Sequence, residues 1–121
     1  MHGLTSRLCK RCLHKSPGTT SSQFSKSSPP QTIAAGVYEV LTQSADFDAG
    51  LMLVRPNLWL LAADINLVGA ETELVNVVGR EIILREAMQA SRDRFDFCLI
   101  DCPPSLSVLS LNALAAAQEV L

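Results

Sequence analysis

The spacing of apolar residues predicts alternating strands and helices from residue 32 to the end of the chain. Three stretches place apolar side chains on one face at helical spacing: Ile33, Val37, Val40 and Leu41; Leu74, Val78 and Ile82; and Leu106, Leu109, Ala113, Leu114 and Ala117. Gly79 is a point that can bend or divide the second helix. Continuous apolar runs at 58–62 and 95–100 predict buried strands, and residues 119–121 are expected to begin a third. Strands that alternate with helices in this way are typical of an α/β fold with a parallel sheet.

Composition changes sharply near residue 31. Residues 1–31 are rich in Ser, Thr, Lys, Arg and Pro and hold five basic residues and no acid, whereas residues 32–121 hold five basic and 12 acidic residues, a net charge of −7. A polar segment of this kind buries too little apolar surface to fold, so we predict a disordered, basic, Ser-rich tail over 1–31 and one domain over 32–121. The tail also resembles an organelle transit peptide, and a nucleic-acid-binding arm is a further interpretation, although its charges are not regularly interleaved with aromatic residues.

Four cysteines form two close pairs, Cys9 with Cys12 and Cys98 with Cys102. The first pair has half the spacing of a zinc site, with His14 nearby, but two further ligands would be needed and the second pair lies in a predicted strand and turn. We therefore expect reduced cysteines and no zinc site, with Cys98 facing the core as a small apolar residue. No apolar run approaches the roughly 20 residues that cross a bilayer, so no membrane span is predicted.

Asp101 is the candidate for chemistry. It directly follows the apolar run at 95–100, and an acid at the carboxyl end of a buried parallel strand points into the crevice where such sheets bind ligands. In nucleotide hydrolases that position carries the carboxylate that helps to hold Mg²⁺ near the phosphates. The structural alternative is that an Asp before Pro-Pro simply ends a strand and caps the next helix. Spacing alone leaves both interpretations open.

The motif around Asp101 is specific enough to indicate a family. It reads Asp101-Cys-Pro-Pro-Ser-Leu106, with Leu111-Asn-Ala-Leu114 downstream, and it resembles the Walker B and switch II region of the ParA/Soj partition ATPases. Residues 36–41, 57–63 and 64–71 resemble the family's helix after the first switch, its next strand and its Gly-Ala-Glu helix start. The similarity therefore runs from about residue 32 to Leu121.

This resemblance implies a fold, a chemistry and partners. The fold would be a partial P-loop NTPase-like parallel sheet with flanking helices, and the cofactors would be ATP and Mg²⁺. Asp101 would hold the Mg²⁺ shell through water, and Pro104 and Ser105 would belong to the switch beside the nucleotide. In such proteins ATP joins two subunits, the homodimer binds DNA without sequence preference, and a ParB-type partner stimulates hydrolysis during plasmid or chromosome segregation in the cytoplasm.

The phosphate side of such a site is missing from the sequence. Residues 1–31 stand where the family has its first strand and phosphate loop, and the explanation that we favour for this tail is a truncated gene or a misassigned start. A phosphate loop reads G-x-x-x-x-G-K-[ST], and the dipeptide Gly-Lys occurs nowhere in the chain. Where the family commonly has Asp-Pro-Gln in its first switch, this chain has Pro29-Pro30-Gln31. We therefore expect a partition ATPase fragment that is inactive alone, with the later strands of the domain lying beyond Leu121. The alternative is a non-enzymatic interaction module that pairs with a full-length ParA-type ATPase.

Overall fold

The computed structural model describes the backbone of residues 7–11 and the whole of residues 35–121. Within these ranges the regular elements are β1 (Arg7–Arg11), α1 (Val37–Leu41), β2 (Leu51–Arg55), β3 (Leu58–Ala62), α2 (Leu67–Leu74), α3 (Ile83–Gln89), β4 (Leu99–Ile100) and α4 (Val108–Ala116). Short 3₁₀ turns at Asp48–Gly50 and Arg92–Arg94 precede β2 and β4. The mixture of strands and helices confirms the predicted α/β class.

In the described part of the chain the strands form a sheet in the order β2-β3-β1-β4, and each neighbouring pair is antiparallel. The pairing thus differs from the predicted parallel sheet. Since β1 lies between β3 and β4 and runs against both, β3 and β4 point the same way but are not neighbours. Ladder hydrogen bonds come from backbone groups, which any extended segment can supply. The apolar pattern identified β3 and β4 but could not identify the strand between them.

β1 lies inside the stretch that we expected to be unstructured. Its register pairs Leu8 with Leu61 on β3 and with Ile100 on β4, so this segment joins the two strands. Here the structure differs from the expectation, because the backbone of β1 satisfies the open edges of both neighbours. Residues 1–6 and 12–34 lie outside the described residues, including Cys12 and His14. The boundary near residue 31 and the absence of zinc stay predictions.

β2 and β3 form a hairpin, and β2 was not predicted. The turn between them consists of Pro56 and Asn57, and Asn57 has a φ of 59°, a left-handed conformation that Asn tolerates better than most residues. A Pro-Asn pair between two apolar runs is a recognisable turn signal. The outer strand is partly open to solvent, with Leu53 58% exposed, yet its residues do not alternate between apolar and polar, so no period-two pattern marks it as such a strand.

Gly79 divides the predicted second helix, as the sequence suggested. With a φ of +75° it lies in the left-handed region that favours glycine, and it separates the end of α2 at Leu74 from the start of α3 at Ile83. The predicted stripe of Leu74, Val78 and Ile82 therefore does not lie on one helix, and Val78 is 99% exposed.

Two strand predictions need correction. Of the run at 95–100 only Leu99–Ile100 is in β4, and Phe97 is 63% exposed. The strand expected at 119–121 is wrong, because these residues have no regular structure and Val120 is 72% exposed. Apolar runs become strands only where a neighbouring strand supplies hydrogen bonds, and within the described residues neither stretch has one along its length.

The core lies between the sheet and helices α1, α2 and α3. It consists of ten buried apolar residues: Val37, Val40, Leu41, Phe47, Leu61, Leu67, Ala70, Leu74, Ile83 and Leu84. Cys98 packs against this cluster, which confirms the prediction that it faces the core, and neither Cys98 nor Cys102 forms a disulfide with a described residue. α1 approaches the end of β3 closely at Gly36, where a Cβ atom would lie 2.5 Å from the carbonyl oxygen of Ala62.

Candidate functional site

Asp101 immediately follows β4, where the sequence analysis placed it. Its side chain is exposed, and within the described residues its carboxylate makes no hydrogen bond or ion pair. It does not cap α4, whose N-cap residue is Ser107. The structure therefore does not support the helix-capping interpretation of Asp101, and its role in ligand binding stays a prediction.

The segment from Cys102 to Ser107 has no regular secondary structure, and hydrogen bonds from α4 fix its backbone. The hydroxyl of Ser110, which is only 6% exposed, lies 3.1 Å from the carbonyl oxygen of Pro103 and also contacts that of Ser105. One hydroxyl proton is thus shared between two carbonyls of the segment. Pro104 and Ser105 are both exposed. The three predicted site residues lie on one solvent-facing stretch, and their side chains do not bond to each other.

Asn112 fixes α4 in place, and sequence reasoning assigned it no role. It is 1% exposed, and its Oδ1 accepts a hydrogen bond of 3.0 Å from the backbone N–H of Leu84. Its Nδ2 donates to the carbonyl oxygens of Arg80, at 2.5 Å, and Val108, at 2.9 Å. The one indication in the sequence was an amide side chain within the mainly apolar stretch Leu111–Leu114. Because Asn112 anchors the helix that carries Ser110, it indirectly positions the segment after Asp101.

Ser107 starts α4 but leaves its own hydroxyl without a partner. Its backbone is extended, with φ −112° and ψ 172°, and its carbonyl accepts the first helical hydrogen bond from Leu111 at 3.0 Å. Its Oγ is buried and makes no hydrogen bond within the described residues. Ser107 lines a cleft of about 290 Å³ whose other lining residues are Glu71, Val75, Arg80, Leu106, Val108 and Leu111.

A side-chain hydrogen bond joins α1 to α2. The hydroxyl of Tyr38 donates a hydrogen bond of 2.8 Å to Oε1 of Glu73. This hydrogen bond is the main reason why the pKa of Tyr38 is raised from 10.0, and burial and nearby acids make smaller contributions. Glu39 caps its own helix by accepting a hydrogen bond of 2.6 Å from the backbone N–H of Gly36. Residues 29–31, which would correspond to the switch, lie outside the described residues.

A magnesium role for Asp101 would have to act through water, since the described residues contain no group of three or more His, Cys, Asp or Glu that could hold a metal ion directly. The sequence has no Gly-Lys loop for the phosphates. No helix among residues 35–121 is long and apolar enough to cross a membrane.

Comparison with known protein sequences identifies a family for this chain. A family model described as an AAA domain matches residues 16–121. The chain is 42% identical over 86 residues to the sporulation initiation inhibitor protein Soj of Bacillus subtilis. The aligned region covers 70% of this chain and 34% of that protein. It is 52% identical over 93 residues to the chromosome partitioning protein ParA of Myxococcus xanthus, covering 74% of this chain and 32% of the relative.

A solved structure supports the same relationship. Cobyrinic acid a,c-diamide synthase from Mycobacterium smegmatis, crystallised with an ATP analogue and magnesium, matches with a TM-score of 0.68 and 42% identity over 74% of this chain and 36% of that one. The fold and this structural match therefore define a P-loop NTPase-like α/β protein. Within that class, the chain belongs to the AAA-domain family of ParA/Soj chromosome-partitioning ATPases. It spans about a third of the length of the curated relatives it matches.

Proposed function

We propose that this chain supplies the magnesium-side and switch portion of a ParA/Soj-type ATP site and does not hydrolyse ATP by itself. The observation that carries the proposal is the exposed carboxylate of Asp101 at the end of β4, which has no ion pair with the residues that the structure describes, in a chain without Gly-Lys. The related synthase was crystallised with an ATP analogue and magnesium, which supports the same cofactors for the family. The roles assigned to Asp101, Pro104 and Ser105 are part of this proposal.

The geometry suggests how these residues would act. Bound Mg²⁺ neutralises phosphate charge and orients the terminal phosphate, as in other nucleotide hydrolases. Asp101 would hold a water molecule of that shell. Pro104 and Ser105 lie on the segment whose carbonyl oxygens accept hydrogen bonds from the Ser110 hydroxyl. A displacement of the segment would therefore be transmitted to α4. With a single carboxylate and no phosphate loop, the chain would bind Mg²⁺–ATP weakly, since Mg²⁺ sites usually combine carboxylates with substrate phosphates.

The wider role proposed is the family's role in segregation of chromosomes or plasmids in the cytoplasm. It includes ATP-dependent dimerisation, binding to DNA without sequence preference, and stimulation by a ParB-type partner. The names of the relatives, which include chromosome-partitioning proteins from Treponema pallidum and Myxococcus xanthus, support a place in a partitioning system. The particular partners remain part of the proposal.

One observation favours a second candidate function, a non-enzymatic module that pairs with a full-length ParA-type ATPase. Large apolar side chains are exposed on α2, on α4 and on the segment before α4, including Val68 (64%), Leu106 (89%) and Leu114 (46%). Several such side chains on neighbouring elements are unusual for a monomer and mark surfaces that contact another protein.

Calorimetric titration of the purified 121-residue chain with ATP, with and without Mg²⁺, tests the first proposal. We expect no Mg²⁺-dependent binding at micromolar concentrations and no phosphate release, with the chromosome-partitioning ATPase Soj of Treponema pallidum as the positive control. Micromolar Mg²⁺-dependent binding that Asp101→Asn removes would show that the site is functional and contradict the proposed inactivity. Co-purification with that intact relative would support the second candidate, and no association at high concentration would remove it.

A further inference from the structure

The cleft that Ser107 lines combines one acid, one base and an apolar wall. It lies between the end of α2 and the start of α4 and has a volume of about 290 Å³. Ligand pockets usually measure about 300–1,000 Å³, so this cleft suits a small molecule. Its lining consists of the polar residues Glu71, Arg80 and Ser107 and the apolar residues Val75, Leu106, Val108 and Leu111. Asp101, Pro104 and Ser105 are not among them, so the cleft is distinct from the residues proposed for the nucleotide.

The two charged side chains of the cleft have opposite signs. Glu71 is partly buried and makes no ion pair with the described residues. The Nε atom of Arg80 lies 3.2 Å from Oε1 of Glu81, and its Nη1 donates to the carbonyl oxygen of Val75. A guanidinium group has five N–H donors, so these contacts hold Arg80 in place and leave other donors available. The cleft therefore suits a ligand that carries both an ammonium and a carboxylate group.

The start of α4 adds groups that bind a carboxylate. Ser107 is the N-cap residue of α4 and Val108 its first residue, and both line the cleft. The Oγ atom of Ser107 is buried without a hydrogen-bond partner among the described residues, and it does not cap the helix. The first N–H groups of a helix have no partner within the helix and attract anions. A ligand oxygen at this end of the cleft would supply an acceptor to donors that lack one.

The apolar part of the cleft is open to water. Leu106, Val75 and Leu111 are 89%, 55% and 38% exposed, respectively. An aliphatic group that lay against these side chains would remove their apolar surface from water, which favours binding.

We propose that this cleft binds a free aliphatic α-amino acid such as L-leucine. The ammonium group of the amino acid would pair with Glu71, and its carboxylate would pair with Arg80 at the start of α4. Its side chain would contact Val75, Leu106 and Leu111. Because Leu106 belongs to the irregular segment before α4, the bound amino acid would also restrain that segment.

Titration of the isotope-labelled 121-residue chain with L-leucine, followed by amide chemical shifts, tests the proposal. We expect saturable shifts over residues 71–80 and 105–111, with a dissociation constant on the order of 1 mM, as for a small ligand in an open cleft. Leucinamide lacks the carboxylate and 4-methylpentanoate lacks the ammonium group. Each should bind at least about fivefold more weakly, since each loses one charged contact. Amide hydrogen exchange over 105–109 should slow at saturating L-leucine.

Substitutions assign each charge of the ligand to its partner. Glu71→Gln should weaken the binding of L-leucine about fivefold but leave that of 4-methylpentanoate unchanged, because only leucine has an ammonium group to lose. Arg80→Gln should likewise weaken L-leucine and leave leucinamide unchanged. Glu86→Gln removes an exposed acid on α3 that does not line the cleft, and it should leave the affinity for L-leucine unchanged.

Three results would overturn the proposal. The first is a failure of L-leucine to saturate at concentrations tenfold above the expected dissociation constant. The second is equal binding of L-leucine and either analogue, which is measured on the unaltered chain and so does not depend on how the variants fold. The third is an equal loss of affinity in Glu71→Gln and Glu86→Gln. None of these measurements involves ATP, so the result is independent of the function proposed above.

Discussion

Asn112 on α4 caps a helix to which it does not belong. Its Oδ1 accepts a hydrogen bond of 3.0 Å from the backbone N–H of Leu84, the second residue of α3. Ile82, the N-cap residue of α3, has an apolar side chain and makes no capping hydrogen bond of its own. Because the first N–H groups of a helix have no partner within the helix, α3 depends on Asn112 for one of them.

Replacing Asn112 should therefore cost more than a surface substitution. Asn112→Ala leaves the buried N–H of Leu84 and the carbonyl of Arg80 without partners, and we expect the free energy of unfolding to fall by about 2–4 kcal/mol. Asn112→Asp keeps an acceptor for Leu84 but cannot donate to Arg80 or Val108, so it should also destabilise the fold. Urea denaturation measures both, with Asn76→Ala, at an exposed turn position, as the control. Equal stability of the Asn112 and Asn76 variants would contradict this role.

Two glycines should respond oppositely to the same substitution. Gly36→Ala places a Cβ atom 2.5 Å from the backbone oxygen of Ala62, which cannot move without disturbing β3, so we expect a loss of about 1–3 kcal/mol. Gly69→Ala meets nothing within 4 Å and lies inside α2, where Ala is preferred to Gly by about 0.5–1 kcal/mol. Thermal unfolding of the two variants makes the comparison. A stabilised Gly36→Ala would show that α1 and β3 are not in close contact.

The hydrogen bond between Tyr38 and Glu73 predicts a titration that can be observed directly. Tyr38 is the one tyrosine of the chain, and its pKa is raised from 10.0 chiefly because the neutral hydroxyl donates to Glu73. Glu73→Gln should lower the pKa toward 10.0, as measured by phenolate absorbance. Glu71→Gln, on the same helix but without this contact, should leave it unchanged, and a matching shift in both variants would refute the assignment.

The sign of the corresponding stability change follows from the raised pKa. A folded-state pKa above the unfolded value of 10.0 means that the contact stabilises the chain at neutral pH and that this contribution is lost as pH rises from about 10 through the folded value. Tyr38→Phe should remove that part of the pH dependence of unfolding.

Ser110 should control the mobility of the segment that carries the candidate site. Ser110→Ala removes the hydroxyl that reaches the carbonyls of Pro103 and Ser105, so amide hydrogen exchange over 105–109 should accelerate several-fold. Exchange in α3 should stay unchanged, because Asn112 still joins it to α4. Thr72→Ala, an exposed substitution on α2, is the control. Unchanged exchange over 105–109 in Ser110→Ala would show that the segment is held by other contacts.

The sequence predicted those elements that are marked by the spacing of residues within a short stretch. The continuous apolar run of β3, the helix α4 and the glycine that separates α2 from α3 were all recognisable from spacing. The predicted stripe of α4 was only partly right, because Leu106 and Ala117 lie outside the helix and Leu106 is 89% exposed. The pairing of strands was not, because a strand's partner depends on which backbone edges remain open in the folded chain rather than on its own period. For this reason β1 and β2 were missed, and the run at 95–100 was predicted to be a longer strand than β4.

The candidate site was likewise predictable from the sequence only in part. The position of Asp101 after a strand followed from a short motif, and the structure places it there. The contribution of Asn112 could not be inferred, since a buried amide on an apolar helix has a role only through groups that lie 28 and 32 residues away. Long-range hydrogen bonds of this kind leave no periodic signal in the sequence.

The place of β1 between β3 and β4 also has a consequence for biosynthesis. Leu8 and Ile100 are register partners although one lies near the beginning of the chain and the other near its end. During translation the hairpin of β2 and β3 can pair with β1 early, but β4 joins only after residue 100 has left the ribosome. Until then one edge of β1 is open, and such edges readily pair with other chains. The nascent chain should therefore be most prone to aggregation, and most dependent on chaperones, in the interval between the exit of β3 and the exit of β4 from the ribosome.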